Sequence, residues 1–106
     1  MEKQLQKLVE EINKDYLRFM PPTSEIRKEM AVDFVISLEI LEGRKYYKII
    51  SRGSVWGFVV KVADSKFKVG DILKAAGWAA PARNKARGNI LEGDYSWVRW
   101  TGPEYL

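Results

Sequence analysis

Lys45-Tyr46-Tyr47-Lys48-Ile49-Ile50-Ser51-Arg52-Gly53-Ser54-Val55-Trp56-Gly57-Phe58-Val59-Val60-Lys61-Val62 decides the fold class. Two apolar, β-branched and aromatic runs flank Arg52-Gly53, a turn short enough for a hairpin. The first run, Lys45 to Ser51, carries Tyr46, Tyr47, Ile49 and Ile50. In the second, Val55 to Val62, the alternation puts Trp56, Phe58, Val60 and Val62 on one face, with Gly57 and Lys61 on the other. Such a pair needs further strands and a covering layer, because an isolated hairpin is marginal in water.

The preceding segment supplies one more strand. Val32 to Leu41 alternates Phe34, Ile36, Leu38 and Ile40 against Ser37 and Glu39, and Glu42-Gly43 turns it into the hairpin. Upstream, Leu5, Leu8, Val9, Ile12, Tyr16, Phe19 and Met20 recur at helical spacing, opposite a polar face. Pro21-Pro22 ends that helix. Its apolar stripe is expected to cover the sheet rather than a partner. Thr23 or Ser24 can cap a second, short helix through Met30.

Downstream, Lys66-Phe67-Lys68 reads as a sheet edge, where lysine discourages further pairing. Gly70-Asp71 has two readings. Asp71 can cap a short helix to Ala76, with Gly77 as its left-handed stop. Alternatively Gly70-Asp71 is a hairpin turn between Phe67–Val69 and Ile72–Lys74. The helix is preferred, because Lys74-Ala75-Ala76 is a poor strand sequence. Trp78 has the look of a core residue. Tyr95 to Thr101 alternates as a last strand, which Gly102-Pro103 breaks, and Glu104-Tyr105-Leu106 is a tail. The expectation is α+β: a mostly antiparallel twisted sheet of four to five strands covered by an N-terminal amphipathic helix. One domain spans 1–106, with a helical segment 1–30 and a sheet region 31–106. Phe34, Ile36, Leu38, Trp56, Phe58, Val60, Val98 and Trp100 are its expected core.

Composition excludes more than it assigns. The 106 residues contain no Cys and no His, which removes thiolate chemistry, the commonest general base and the commonest transition-metal ligand. Glu92 and Asp94 are two apart but flank Gly93, the pattern of a turn. No enzyme, cofactor or metal site is expected. No run of ~20 apolar residues suggests a membrane span. The N-terminus has no apolar signal core, so a cytoplasmic location is expected.

Charge is unevenly placed. Residues 1–43 carry six cations against nine anions, net −3. Residues 44–87 carry eleven against two, net +9, and residues 88–106 one against three, net −2. The basic middle interleaves cations with aromatics, the pattern of surfaces that hold phosphates and stack on unpaired bases. The candidate nucleic-acid or anion-binding residues are Arg44, Lys45, Tyr47, Lys48, Arg52, Trp78, Arg83, Lys85 and Arg87. With Lys61, Lys66 and Lys68 they are expected to form one continuous positive surface. The expected partner is nucleic acid, or else an acidic host protein bound by an interaction module or inhibitor. The expected state is a monomer or weak homodimer.

Gly70-Asp71-Ile72-Leu73-Lys74-Ala75-Ala76 with Trp78, and Ala86-Arg87-Gly88-Asn89 with Trp100-Thr101-Gly102-Pro103, resemble phrases in small uncharacterised proteins of tailed bacteriophages. The resemblance implies a viral accessory protein in the cytoplasm of a bacterial host. It implies no activity and no site residue.

Overall fold

Helix α1, Glu2–Phe19, forms where the sequence repeats apolar residues at helical spacing. The computed structural model describes residues 1–103; the Glu104–Leu106 tail lies outside the described residues. Leu5, Leu8, Ile12 and Tyr16 of α1 are buried, and they share one core with sheet residues Ile49, Val59 and Ile72 and with Ile90, just past the last strand of the sheet. The stripe from Leu5 to Tyr16 therefore packs within its own chain, while Phe19 near its end is exposed. Met20 caps the helix end just before Pro21-Pro22.

Helix α2 spans Glu25–Ser37, well past Met30. Ser24 caps it as its sequence suggests, Oγ accepting the Arg27 amide at 3.2 Å. The strand expected from Val32 to Leu41 is thus largely helix, and β1 is only Glu39–Glu42. Nothing between Ser24 and Ser37 stops a capped helix, and one inward residue, Phe34, secures it. Its ring stacks on Tyr16 with centroids 4.0 Å apart. Ile36, expected in the core, is 71% exposed. The Ser37 hydroxyl donates back to the Phe34 carbonyl at 2.6 Å, and Leu38 turns extended.

The hairpin forms as its sequence dictates, with β2 at Tyr46–Ser51 and β3 at Ser54–Val60. β4, Asp71–Leu73, and β5, Gly88–Asn89, complete an antiparallel sheet in the order β1-β2-β3-β4-β5. The fold is α+β. One irregularity matters for side-chain placement. Ile49 pairs with Gly57 but Ile50 pairs with Val55, so Trp56 is an extra, unpaired residue. This β-bulge moves Trp56 off the face of Phe58 and Val60 and into the helix-side core. There its indole N–H donates to the Arg99 carbonyl at 2.7 Å.

The short helix expected from Asp71 to Ala76 is absent, and β4 takes its start. Ile72 lies opposite Val59 on the helix side, and Leu73 lies opposite Phe58 on the other side. Both are fully buried, as in a central strand covered on both faces. Asp71 does accept a turn amide, but from Lys68, behind it, at 3.0 Å. Its other oxygen takes the Asn89 side-chain amide at 2.9 Å, tying β4 to β5. Lys66–Lys68 is not a strand; it is a turn around Asp64, and it delivers Phe67 to the second core.

The last strand is shorter than Tyr95 to Thr101. β6 is Val98–Arg99, and it pairs with β7, Gly102–Pro103, the very residues expected to break it. Gly57 makes this possible, since a Cβ there would stand 3.2 Å from Pro103 Cγ and 3.1 Å from the Leu73 carbonyl oxygen. Phe34, Trp56, Phe58, Val60 and Val98 are buried as expected; Leu38 and Trp100 are half-buried, and Val62 is exposed.

Candidate functional site

The sheet face away from the helices carries a small core of Phe58, Val60, Phe67 and Leu73. No helix covers it. Residues 74–87 fold over it as a loop, with Ala75 and Ala86 packed against that core. The loop doubles back through an Ala75–Pro81 bridge and an Ala82 amide donating to the Lys74 carbonyl at 2.7 Å. Trp78 stands at the tip, 57% exposed, and is not a core residue.

Beneath Trp78 runs β2. Lys48 lies opposite Phe58 on the same face, and its Nζ sits 4.4 Å from the Trp78 ring centroid. A groove of about 370 Å³ opens alongside; its polar lining is Arg44, Lys45, Tyr46, Lys48 and one carboxylate, Glu42, which is paired with Lys61. Arg44 and Lys45 are exposed in the β1–β2 turn, and among the described residues neither forms an ion pair. The structure thus brings together four of the nine candidates: Arg44, Lys45, Lys48 and Trp78.

The others go elsewhere. Arg83 is an anchor. Its Nη2 meets Asp64 Oδ2 at 2.6 Å, its Nη1 donates to the Tyr46 hydroxyl, and its guanidinium lies 4.9 Å from the Phe67 ring centroid. Lys66 donates to the Arg83 carbonyl. The amide of Phe67, then Arg83, then the amide of Lys66 hold the Asp64 carboxyl down at about 2, and Asp64 in turn raises the Arg83 pKa. Lys85 is exposed. Arg87 is half-buried; its amide donates to the Ile72 carbonyl at 2.8 Å and its Nε to the Lys85 carbonyl at 3.2 Å.

Tyr47 lies opposite Val59, on the helix side, with Lys61 Nζ 5.6 Å from its ring centroid. Lys61 pairs with Glu42, which raises its pKa, and Lys68 pairs with Glu92 at 2.8 Å. Arg52 lies at the far end of β2, over Trp100 and Phe34. The continuous positive surface expected from sequence is therefore broken into a groove at one end, an anchored loop, and a separate arginine at the other end.

Sequence reasoning left out Tyr46 and Asp64. Alternation along β2 was signal enough for Tyr46, since it shares a face with Lys48 and not with Tyr47. Asp64 had no such signal, because its partner Arg83 is 19 residues away. Among the described residues, no helix is long and apolar enough to cross a membrane. Nor does any group of three or more carboxylates there stand close enough to hold a metal ion.

No curated protein and no solved structure matches the chain. Residues 1–104 match a family model, and the chain belongs to that family: a family of unknown function, DUF7717.

Proposed function

We propose that the protein binds single-stranded nucleic acid in the groove between the β1–β2 turn and the 76–80 loop. The observation that carries this reading is Trp78. It is a large exposed aromatic with Lys48 on one ring face, and Lys48 lines a groove with Arg44 and Lys45, while the groove's one carboxylate, Glu42, is already paired with Lys61. A base stacks on the open ring face while Arg44, Lys45 and Lys48 meet the flanking phosphates. The proposed setting is the cytoplasm of a bacterial host, as the resemblance to phage accessory proteins implies. No catalysis is proposed. Fluorescence anisotropy with single- and double-stranded DNA and RNA over a range of salt tests the reading. Single strands should bind tighter than duplex, with affinity falling steeply as salt rises. No binding to any of the four at low salt rejects it.

A second reading rests on a different observation. Helix α2 exposes the apolar side chains of Ile26, Val32, Val35 and Ile36 to solvent. This favours an interaction module for a host protein, which takes precedence if nucleic acid does not bind.

A further inference from the structure

The turn joining β2 to β3 is built against its own conformational preference. Arg52 and Gly53 both have positive φ, 50° and 76°, as a two-residue hairpin turn of this kind requires. Asn or Gly is the usual first residue, and an arginine there is strained. What the arginine side chain adds is visible beyond the turn. Its guanidinium carbon lies 5.1 Å from the Trp100 ring centroid and 5.7 Å from that of Phe34. The Arg52 amide donates to the Ser37 hydroxyl at 3.1 Å, which ties the turn to the end of α2.

Ring contacts leave the in-plane N–H groups of a guanidinium free to donate. Among the described residues Arg52 forms no ion pair and donates no side-chain hydrogen bond. Arg52 lines a groove of about 510 Å³ together with the hydroxyl residues Ser51, Ser54 and Thr101 and with Trp100, and among the described residues no carboxylate lines it. A fork of N–H donors held by two ring contacts, with a positive charge that no described residue compensates, suits an oxyanion; three hydroxyl residues beside it offer more donors than the two oxygens of a planar carboxylate use, which favours a tetrahedral one.

We propose that this groove binds a phosphate group, free or as a monoester, with two of its oxygens on the Arg52 fork. The site stands apart from the Trp78 groove and does not rest on nucleic-acid binding. It lies at the other end of β2, a six-residue strand on the order of 20 Å long.

The test is an NMR titration of the whole chain at low ionic strength, with inorganic phosphate in one arm and phenyl phosphate in the other. Saturable shifts are expected at the amides of Arg52, Gly53 and Thr101 and at the Trp100 indole. Tighter binding of phenyl phosphate identifies an ester as the natural source; equal or tighter binding of inorganic phosphate identifies the free anion. Arg52→Asn suits the turn, so it should fold, and it should weaken binding about tenfold or more by removing a charged, forked donor. Arg52→Lys keeps the charge without the fork and should fall between. No saturable shift at millimolar concentration in either arm overturns the proposal. So does an Arg52→Asn protein that binds as well as the original, which would leave Arg52 with only its packing role.

Discussion

The buried carboxylate of Asp15 accepts the backbone N–H of Trp100 at 2.8 Å, across 85 positions of chain. Its other oxygen takes Arg18 at 3.1 Å. One side chain of α1 thereby holds the entrance to the C-terminal hairpin. Asp15→Ala leaves the Trp100 amide without its acceptor in a half-buried site, at a cost of about 1–3 kcal/mol. Asp15→Asn keeps an acceptor and should lose less. Urea denaturation measures both losses, and hydrogen exchange at the Trp100 amide should quicken first in the alanine variant. An unchanged midpoint for Asp15→Ala would show that the contact contributes nothing.

Asp64 sets an acid limit on the loop anchor. Its carboxyl is held at about 2, below the ordinary carboxylate value, by the Phe67 amide, Arg83 and the Lys66 amide. Because the folded value is the lower one, the stabilisation is complete above the unfolded value of about 4. It disappears as pH falls toward 2. Wild type and Asp64→Asn should therefore differ in melting temperature at neutral pH and converge through that window. A constant difference down to pH 2 would mean that the carboxylate charge is not what the anchor uses.

Gly88 is present because of Trp97. The Trp97 indole lies so close over the Gly88 Cα that a β-carbon there would collide with the ring nitrogen and its neighbours. That ring is fixed by its N–H donating to the Asp94 carbonyl at 2.8 Å, so it has little room to move. Gly88→Ala should destabilise by about 1–3 kcal/mol through overpacking, although alanine is ordinarily harmless in a strand. Trp97 fluorescence should shift with it. Wild-type stability in this variant would show that the ring swings aside freely.

The hairpin was legible in the sequence because its turn and its alternation agree. The stretch from Val32 to Leu38 was not, because it carries two patterns at once. Phe34, Ile36 and Leu38 alternate, yet Ala31, Phe34 and Leu38 also follow helical spacing. The Ser24 cap and the Tyr16–Phe34 stack decide for the helix. β4 was visible only as the less favoured alternative, a strand at Ile72–Lys74, since three residues buried on both faces show no period that separates strand from helix. The bulge at Trp56 has no local signature either; only the register with β2 reveals it. In the site, the basic residues were visible as a group, but their division into groove and anchor depends on Asp64, Glu42 and Glu92, which only the fold brings to Arg83, Lys61 and Lys68.

That division leads to a prediction about how variants should differ. If Trp78 stacks on a base, Trp78→Ala weakens single-strand binding by about 1–3 kcal/mol while the salt dependence keeps its slope. Arg44→Gln and Lys45→Gln remove phosphate contacts, so each flattens that slope by about 0.7. Arg83 behaves as neither. It touches Asp64, Tyr46 and Phe67, and it fixes the loop that presents Trp78. Arg83→Gln should therefore lower the melting temperature and lower affinity while leaving the slope alone. Lys85→Ala, lacking both the anchor and the groove, should change neither quantity. Anisotropy titrations at several salt concentrations, with melting curves of each variant, separate these outcomes. If Arg83→Gln instead flattens the slope and melts like the original protein, Arg83 reaches the strand itself, and the anchor is not its main role.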